Sequence, residues 1–480
     1  MRPHFLFPLI LTFVLGACGS TSELKKPEAR GWSPYPSLAF AIDSLLPDTL
    51  FPPSNAGILI HSLTRNEPLY SLNSDLLFTP ASNQKLFTAA TVLDLLGPGF
   101  QLRTECFVAG DSSLVIRGGG DPLLRTADID SIARRLSGAL TADRTWSLAA
   151  DISLFDSIQW GRGWMWDDDP GDYVMRISPL SVNGNAVRTI LFPANSGVNA
   201  TRTEVIPPTS YVHVDNGVRI WERNDDSLIV SRTAVNDREE IALRGSIERK
   251  TKSVDISVIN PVAYWLTLLG EALDHYGIKT SIEQTPRVVP DGIEPVWTRT
   301  GSLDSAIVTM MKQSDNLSAE VLFRLAGQVK TGRPGSTKGG AMAVKNSLSG
   351  FGIDTSAVLI ADGSGVSRYN LVSAATLVDL LEGVSQRPDL AGLFESSLPV
   401  AGVDGTLRSR MKGTAAEGNL RAKTGTASGL SSLTGYVRTA DGELLCFSIL
   451  MGQYAGKATP YRNVQDAIGA LLASMRRRNF

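Results

Sequence analysis

The chain has 480 residues, of which 43% are hydrophobic and 20% charged, and its formal net charge is -2. That length exceeds what one core usually serves, so two or more domains are expected. The near-neutral balance argues against nucleic acid as the main partner, and the apolar content is that of a folded rather than a disordered chain.

Arg2 and His4 precede an apolar run from Phe5 to Val14. The run is far short of the roughly 20 residues a spanning helix needs, so residues 1–17 read as an export signal. Leu15-Gly16-Ala17-Cys18 resembles the lipobox of bacterial lipoproteins. That resemblance implies cleavage before Cys18 and a lipidated cysteine, anchoring the protein to a membrane in the periplasm or at the cell envelope. An ordinary cleaved signal is the alternative. Each buried methylene contributes about 0.8 kcal/mol, so several acyl chains hold a protein firmly. Residues 18–37, rich in Ser, Lys, Glu and Pro, read as a tether.

Ala56 to Leu63 reads as a strand, with Pro68 to Leu72 as its hairpin partner. Thr79 is placed to cap a helix and Pro80 to open it. Leu86, Phe87, Ala90, Leu93 and Leu96 then recur at helical spacing, and Gly97-Pro98 ends the element. Residues 105–284 change character. Short strands and turns dominate, with Pro207-Pro208, Asp215-Asn216-Gly217 and Asn224-Asp225-Asp226, and a helix is expected over 261–276. Leu317 to Leu325 reads as helix. Ser432 to Arg438 and Leu444 to Met451 read as a hairpin around Asp441-Gly442. Tyr461 to Arg478 reads as a closing amphipathic helix whose Arg476-Arg477-Arg478 complements its negative end. The pattern predicts an α/β (α+β) chain. An antiparallel sheet flanked by helices, from residues 38–104 and 285–480, is split by a mostly-β insertion over 105–284.

Three short strings carry chemistry: Ser82-Asn83-Gln84-Lys85, Ser314-Asp315-Asn316 and Lys423-Thr424-Gly425. None is rare alone. Ser22-Glu23-Leu24-Lys25 repeats the first pattern in a polar stretch, and Lys330-Thr331-Gly332 repeats the third ahead of a strand-breaking Pro334. Context selects the chosen three. Ser82 and Lys85 share one face of a helix. A serine hydroxyl needs a base, and lysine serves only when neutral, so its pKa must fall from near 10.4 to about 7 to 8. Burial and a second cation, Lys423, could supply that drop. Ser314 and Asn316 fall in a loop between helices, where a hydroxyl relays a proton and an amide holds a carbonyl or the Lys85 ammonium. Lys423 to Thr426 lead into the second hairpin as an edge strand able to receive an extended peptide. Gly425 allows close approach, Thr424 and Thr426 offer hydroxyls to a terminal carboxylate, and the N–H groups of Ser82 and Thr426 form an oxyanion hole.

Cys106 and Cys446 could pair, although buried thiols are the favoured reading. His4, His61, His213 and His275 show no metal-ligand spacing, and no G-x-S-x-G elbow exists for a Ser-His-Asp site. No metal and no cofactor are expected.

The three strings in this order are those of penicillin-binding proteins and class A β-lactamases. The chain resembles, more narrowly, the D-alanyl-D-alanine carboxypeptidase/endopeptidase family of low-molecular-mass penicillin-binding proteins. The likeness extends to Arg117-Gly118-Gly119-Gly120-Asp121-Pro122, to Asp362-Gly363-Ser364-Gly365-Val366-Ser367-Arg368-Tyr369-Asn370, and to Leu398-Pro399-Val400-Ala401-Gly402 with Asp404-Gly405-Thr406-Leu407. It implies a β-lactamase/transpeptidase-like fold with a two-part insertion. It also implies hydrolysis of D-Ala-D-Ala termini, and of D-Ala cross-links, in peptidoglycan stem peptides through an acyl-enzyme on Ser82, with β-lactams as acylating ligands. Ser82, Lys85, Ser314, Asn316 and Lys423 carry over as catalytic residues, and Thr424 and Thr426 lie on the substrate side. An acid of the insertion would hold the stem's side-chain amine, and Asp168 aligns better than Asp167. Trp160, Trp164 and Trp166 are expected in packing between domains. The three glycines are expected to supply unusual backbone angles, and Asp362 to Arg368 a buried turn. A β-lactamase and a catalytically silent wall-binding lipoprotein are the rival readings.

Overall fold

Strand Leu444–Gly452 is buried along nearly its whole length, and its side chains alternate between two cores. Leu445, Phe447, Ile449 and Met451 enter one, while Cys446 and Leu450 enter the other. A strand apolar on both faces must lie in the middle of a sheet covered on both sides. That is its position in this computed structural model, which describes residues 30–51, 54–194, 199–221, 227–235, 238–290 and 292–479. The five-stranded antiparallel sheet runs in the order 421–427, 430–438, 444–452, 55–62, 67–72. Ile58 sits opposite Ile449, so the two ends of the chain share one sheet. Helix Thr459–Ser474 and helix Pro36–Ser44 cover one face through Leu38, Ile42, Val464 and Ile468. Helices Gln84–Leu96, Leu303–Lys312, Asn316–Thr331, Thr337–Gly350 and Ala374–Ser385 build the other core.

A second five-stranded sheet has the order 280–282, 146–151, 113–118, 101–109, 297–302. Gln101–Ala109 pairs antiparallel with Trp297–Ser302, Arg103 opposite Thr300. Those paired strands carry this sheet to both sides of the segment expected to be inserted. Helices Thr126–Ser137 and Pro261–His275 pack on it through Ile132, Leu136, Trp265 and Leu269. Asn260 caps the second helix by accepting from the Ala263 N–H at 3.1 Å, and Pro261 opens it. Strand groups 186–193/201–206/252–257 and 212–216/229–235/238–244 complete the segment.

Several expectations change on folding. The chain is tied down before residue 37: the Trp32 N–H donates to the Ser71 carbonyl at 2.8 Å and the bond is returned at 2.9 Å. Cys18 lies outside the described residues. The favoured reading of the cysteines holds: Cys106 and Cys446 are buried free thiols in different sheets, and burial pushes the Cys106 thiol up to about 12. Arg477 does not serve the closing helix. It follows that helix in a short turn and bonds Glu443 and Glu67, each at 2.6 Å, because those carboxylates stand at the starts of neighbouring strands. Of the three glycines, only Gly120 has a left-handed φ, of 78°. A Cβ at Gly119 would stand 1.8 Å from the Arg103 carbonyl oxygen, so that glycine is required by close backbone approach.

Candidate active site

Ser82 lies in a single 3-10 turn, Ala81–Asn83, at the head of helix Gln84–Leu96. Thr79 therefore does not cap the helix as the sequence suggests; its hydroxyl points to the Arg368 carbonyl at 3.5 Å. The turn is bent from outside. Ala81 has φ of 48°, a conformation that costs a non-glycine residue about 1 kcal/mol. Ser432 donates to the Pro80 carbonyl at 2.8 Å, and the Asn83 amide donates to Thr434 at 2.7 Å. Gly425 and Gly365 let their strand and turn close on this bend: Cβ atoms there would meet the Ser432 hydroxyl at 2.1 Å and the Ala81 carbonyl at 1.9 Å.

Lys85 is fully buried. Its amine reaches Ser82 Oγ at 3.1 Å, Asn316 Oδ1 at 2.6 Å and the Ser364 carbonyl at 2.7 Å. Burial draws its pKa down to about 8 against the opposing pull of Asp362, Asp315 and Glu320. Lys423, on the edge strand Arg421–Ala427, is also fully buried and donates to Ser314 Oγ at 2.8 Å and to the Thr424 carbonyl at 2.9 Å. Burial holds Lys423 well below the usual lysine range, and the charge of Lys85 adds to this. Desolvation is the largest cause of the depression at both amines, and the repulsion between them is mutual.

Ser314 sits between two helices with φ of 62°, and Asp315 caps the second by accepting from the Ser318 N–H at 2.7 Å. The Asn316 amide nitrogen donates to the Tyr173 carbonyl at 2.8 Å, which fixes which way the amide points. Tyr173 also reaches Asp168, 3.2 Å from its hydroxyl, and Asp168 accepts from the Met165 N–H at 3.1 Å. Asp168 lines a cavity of about 340 Å3 with Ser82, Asn316, Arg368 and Thr426, while Asp167 is exposed. A second cavity, of about 530 Å3, lies on the other side of Ser82 and is lined by Ser314, Thr406, Thr424, Thr426 and Arg462. Thr424 donates to Thr406 at 2.7 Å. The structure therefore brings Ser82, Lys85, Ser314, Asn316 and Lys423 to one point, and sets Asp168 on the rim beside them.

A model of the D-Ala-D-Ala carboxypeptidase 3 (S13) family matches residues 38–475. The chain belongs to that family. It is 35% identical to a D-alanyl-D-alanine carboxypeptidase of Actinomadura sp. strain R39, over 90% of this chain and 84% of that one. It is 28% identical to the D-alanyl-D-alanine carboxypeptidase DacB of Haemophilus influenzae, over 84% and 86%. The solved structure of penicillin binding protein 4 from Haemophilus influenzae superposes with a TM-score of 0.80 at 26% identity, covering 90% of this chain and 99% of that one.

This S13 chain also holds site residues that its sequence does not announce. Arg462, on helix Thr459–Ser474, donates to Thr426 Oγ1 at 3.2 Å and forms no ion pair with a carboxylate among the described residues. An arginine on an amphipathic helix gives no sign of this. Trp164 is buried and donates to Asp362 Oδ2 at 2.9 Å, whereas Trp166 is 87% exposed and packs nothing down. Asp362, with no exposure, accepts from Gly365, Ser367 and Asn370 as well, at 2.7–2.8 Å. Asp362→Ala strands those buried donors and should cost about 3 kcal/mol in urea unfolding. A variant that unfolds at the wild-type midpoint would show that the turn is held by other contacts.

Proposed function

We propose that this S13 protein is a serine-type D-Ala-D-Ala carboxypeptidase of peptidoglycan stem peptides, with Ser82 as nucleophile. The observation that carries the reading is the buried Lys85 amine, 3.1 Å from Ser82 Oγ. With its pKa near 8, roughly a tenth of Lys85 is neutral at pH 7. The neutral amine takes the Ser82 proton as Oγ attacks the penultimate D-alanine carbonyl. The N–H groups of Ser82 and Thr426 receive the oxyanion. Lys423 and Ser314, joined at 2.8 Å, return a proton to the departing amine, and water then cleaves the ester. Asn316 positions Lys85. Thr424, Gly425 and Thr426 form the substrate edge, and Asp168 receives the amine of the stem's side chain.

The relatives named above support the substrate. Penicillins enter by the same acylation, their strained amide taking the place of the D-Ala-D-Ala bond. The cavity of about 530 Å3 past Thr426 exceeds what a departing alanine fills, which favours action on cross-linked stems as well. The lipobox-like Leu15-Gly16-Ala17-Cys18 supports an export signal, a lipid anchor on Cys18 and work outside the cytoplasm.

Ser82→Ala is expected to abolish labelling by a fluorescent penicillin, and Lys85→Arg to abolish turnover, since arginine does not become neutral. Wild-type acylation should rise with pH through about 8, where Lys85 loses its proton, and then level. Persistent labelling or normal turnover in these variants refutes the assignments. A penicillin adduct lost within seconds would favour a β-lactamase instead.

Arg462, the cation beside Thr426, is expected to receive the substrate's terminal carboxylate. Arg462→Gln should raise KM roughly tenfold for a free-acid D-Ala-D-Ala peptide, matching a lost charge-assisted hydrogen bond. An equal effect on the C-terminal amide of that peptide would reject the role. For the anchor, Cys18→Ser should move the protein from the membrane fraction to the soluble one; retention on the membrane would rule out lipidation there.

A further inference from the structure

One buried ionisable group beside this centre has no part in the steps above. Glu320, on helix Asn316–Thr331, has no solvent exposure. Its Oε1 accepts from the Gly363 N–H at 3.0 Å and the Ser364 N–H at 2.8 Å. Its Oε2 is buried with no hydrogen-bond partner among the described residues. The very next carbonyl, that of Ser364, accepts from the Lys85 amine at 2.7 Å. Thr88, one turn after Lys85, clamps the same backbone by donating to the Gly363 carbonyl at 2.7 Å. Glycine is needed at 363 for this approach: a Cβ there would lie 2.4 Å from Phe323 Cβ and 2.8 Å from the Ala319 carbonyl.

The charged groups around Glu320 are few. Asp362 faces it from the turn and Lys85 from the nucleophile's helix. Arg324 lies one turn further along its own helix, but the guanidinium is bound to Asp156 and the carbonyls of Ile158 and Trp160. Asp315 and Lys423 act on Lys85 or are acted on by it from farther round the cleft. Burial, then Asp362, raises the Glu320 carboxyl to about 7, while the Ser364 bonds and Arg324 oppose the rise. A carboxyl placed without a bonded cation in a dry wall is an expensive arrangement, and an amide there would satisfy the same two N–H groups. What an amide lacks is the charge.

We propose that Glu320 is a positioning residue for Lys85. It fixes the Gly363–Ser364 backbone so that the Ser364 carbonyl meets the amine, and its charge governs how readily that amine yields its proton. Ionised Glu320 favours the ammonium form of Lys85 and so restrains the base; neutral Glu320 releases it. The inference rests on reading Lys85 as the base.

The test is the pH profile of penicillin acylation in Glu320→Gln, which keeps an oxygen for the two N–H groups and removes the charge. Without the anion the Lys85 proton is less firmly held, so the acidic limb should move to lower pH by about one unit. A limb that superimposes on the wild type overturns the proposal. If the wild type has no acidic limb, the base assignment fails first, and the two failures are thereby distinguished. Should Glu320→Gln not fold, the reciprocal effect can be read in Lys85→Met. The buried carboxyl that titrates highest, followed by its infrared band, should then stay protonated to higher pH than in the wild type, because coupling acts equally on both partners. An unchanged titration overturns the proposal.

Discussion

The structure depends on keeping the Lys85 amine out of water. A lysine in solvent holds its proton near neutral pH and is no base at all. Here desolvation, the largest influence, opposes three carboxylates, Asp362, Asp315 and Glu320, and leaves the amine near 8. The dry site is built from three remote stretches: the helix that carries Lys85, the helix that begins at Asn316, and the turn from Asp362. Each gives the amine one contact, at 3.1, 2.6 and 2.7 Å. Three donors meet three acceptors, so the ammonium is tolerated while its charge remains poorly solvated.

The rest of the fold serves this enclosure. The first sheet places the edge strand so that Lys423 lands beside Ser314, and the glycine at 425 lets that strand lie flat beneath the bend holding Ser82. The segment carrying the second sheet is more than a neighbour. Its Tyr173 carbonyl orients the Asn316 amide, and its Trp164 donates to Asp362. The loop bearing Asp168 is in turn held by Arg232, which bonds Asp169 from strand Ile229–Val235. One wall of the cleft is thus braced by residues remote in sequence, and both side cavities open at Ser82.

Strained backbone and buried ionisable groups occur together at the cleft. Ala81 and Ser314 both adopt positive φ, and Lys85, Lys423, Glu320 and Asp362 are all fully buried. At Gly97 and Asn260 local preference and final structure agree: Gly97 ends its helix with φ of 73°, and Asn260 caps helix Pro261–His275 with Pro261 behind it. Local rules give way where a hydroxyl and an amine lie in an environment neither would choose, and the surrounding contacts hold them there.

Sequence alone determined the elements whose signal is local. Alternating and continuous apolar runs marked the hairpins at 56–72 and 432–451, glycine and proline marked helix ends, and the three strings marked the residues that meet at the cleft. These are legible because periodicity and turn chemistry act between near neighbours. Only the tertiary structure decided that Ser82 sits in a 3-10 turn rather than behind a Thr79 cap, because Ser432, Thr434 and Gly365 bend it from across the molecule. It alone set Arg462 beside Thr426, Glu320 behind Lys85 and Arg477 between Glu67 and Glu443. The physical reason is common to all of these. A side chain's charge state and partner depend on what excludes water from it, and that is supplied by segments tens to hundreds of residues away in the chain.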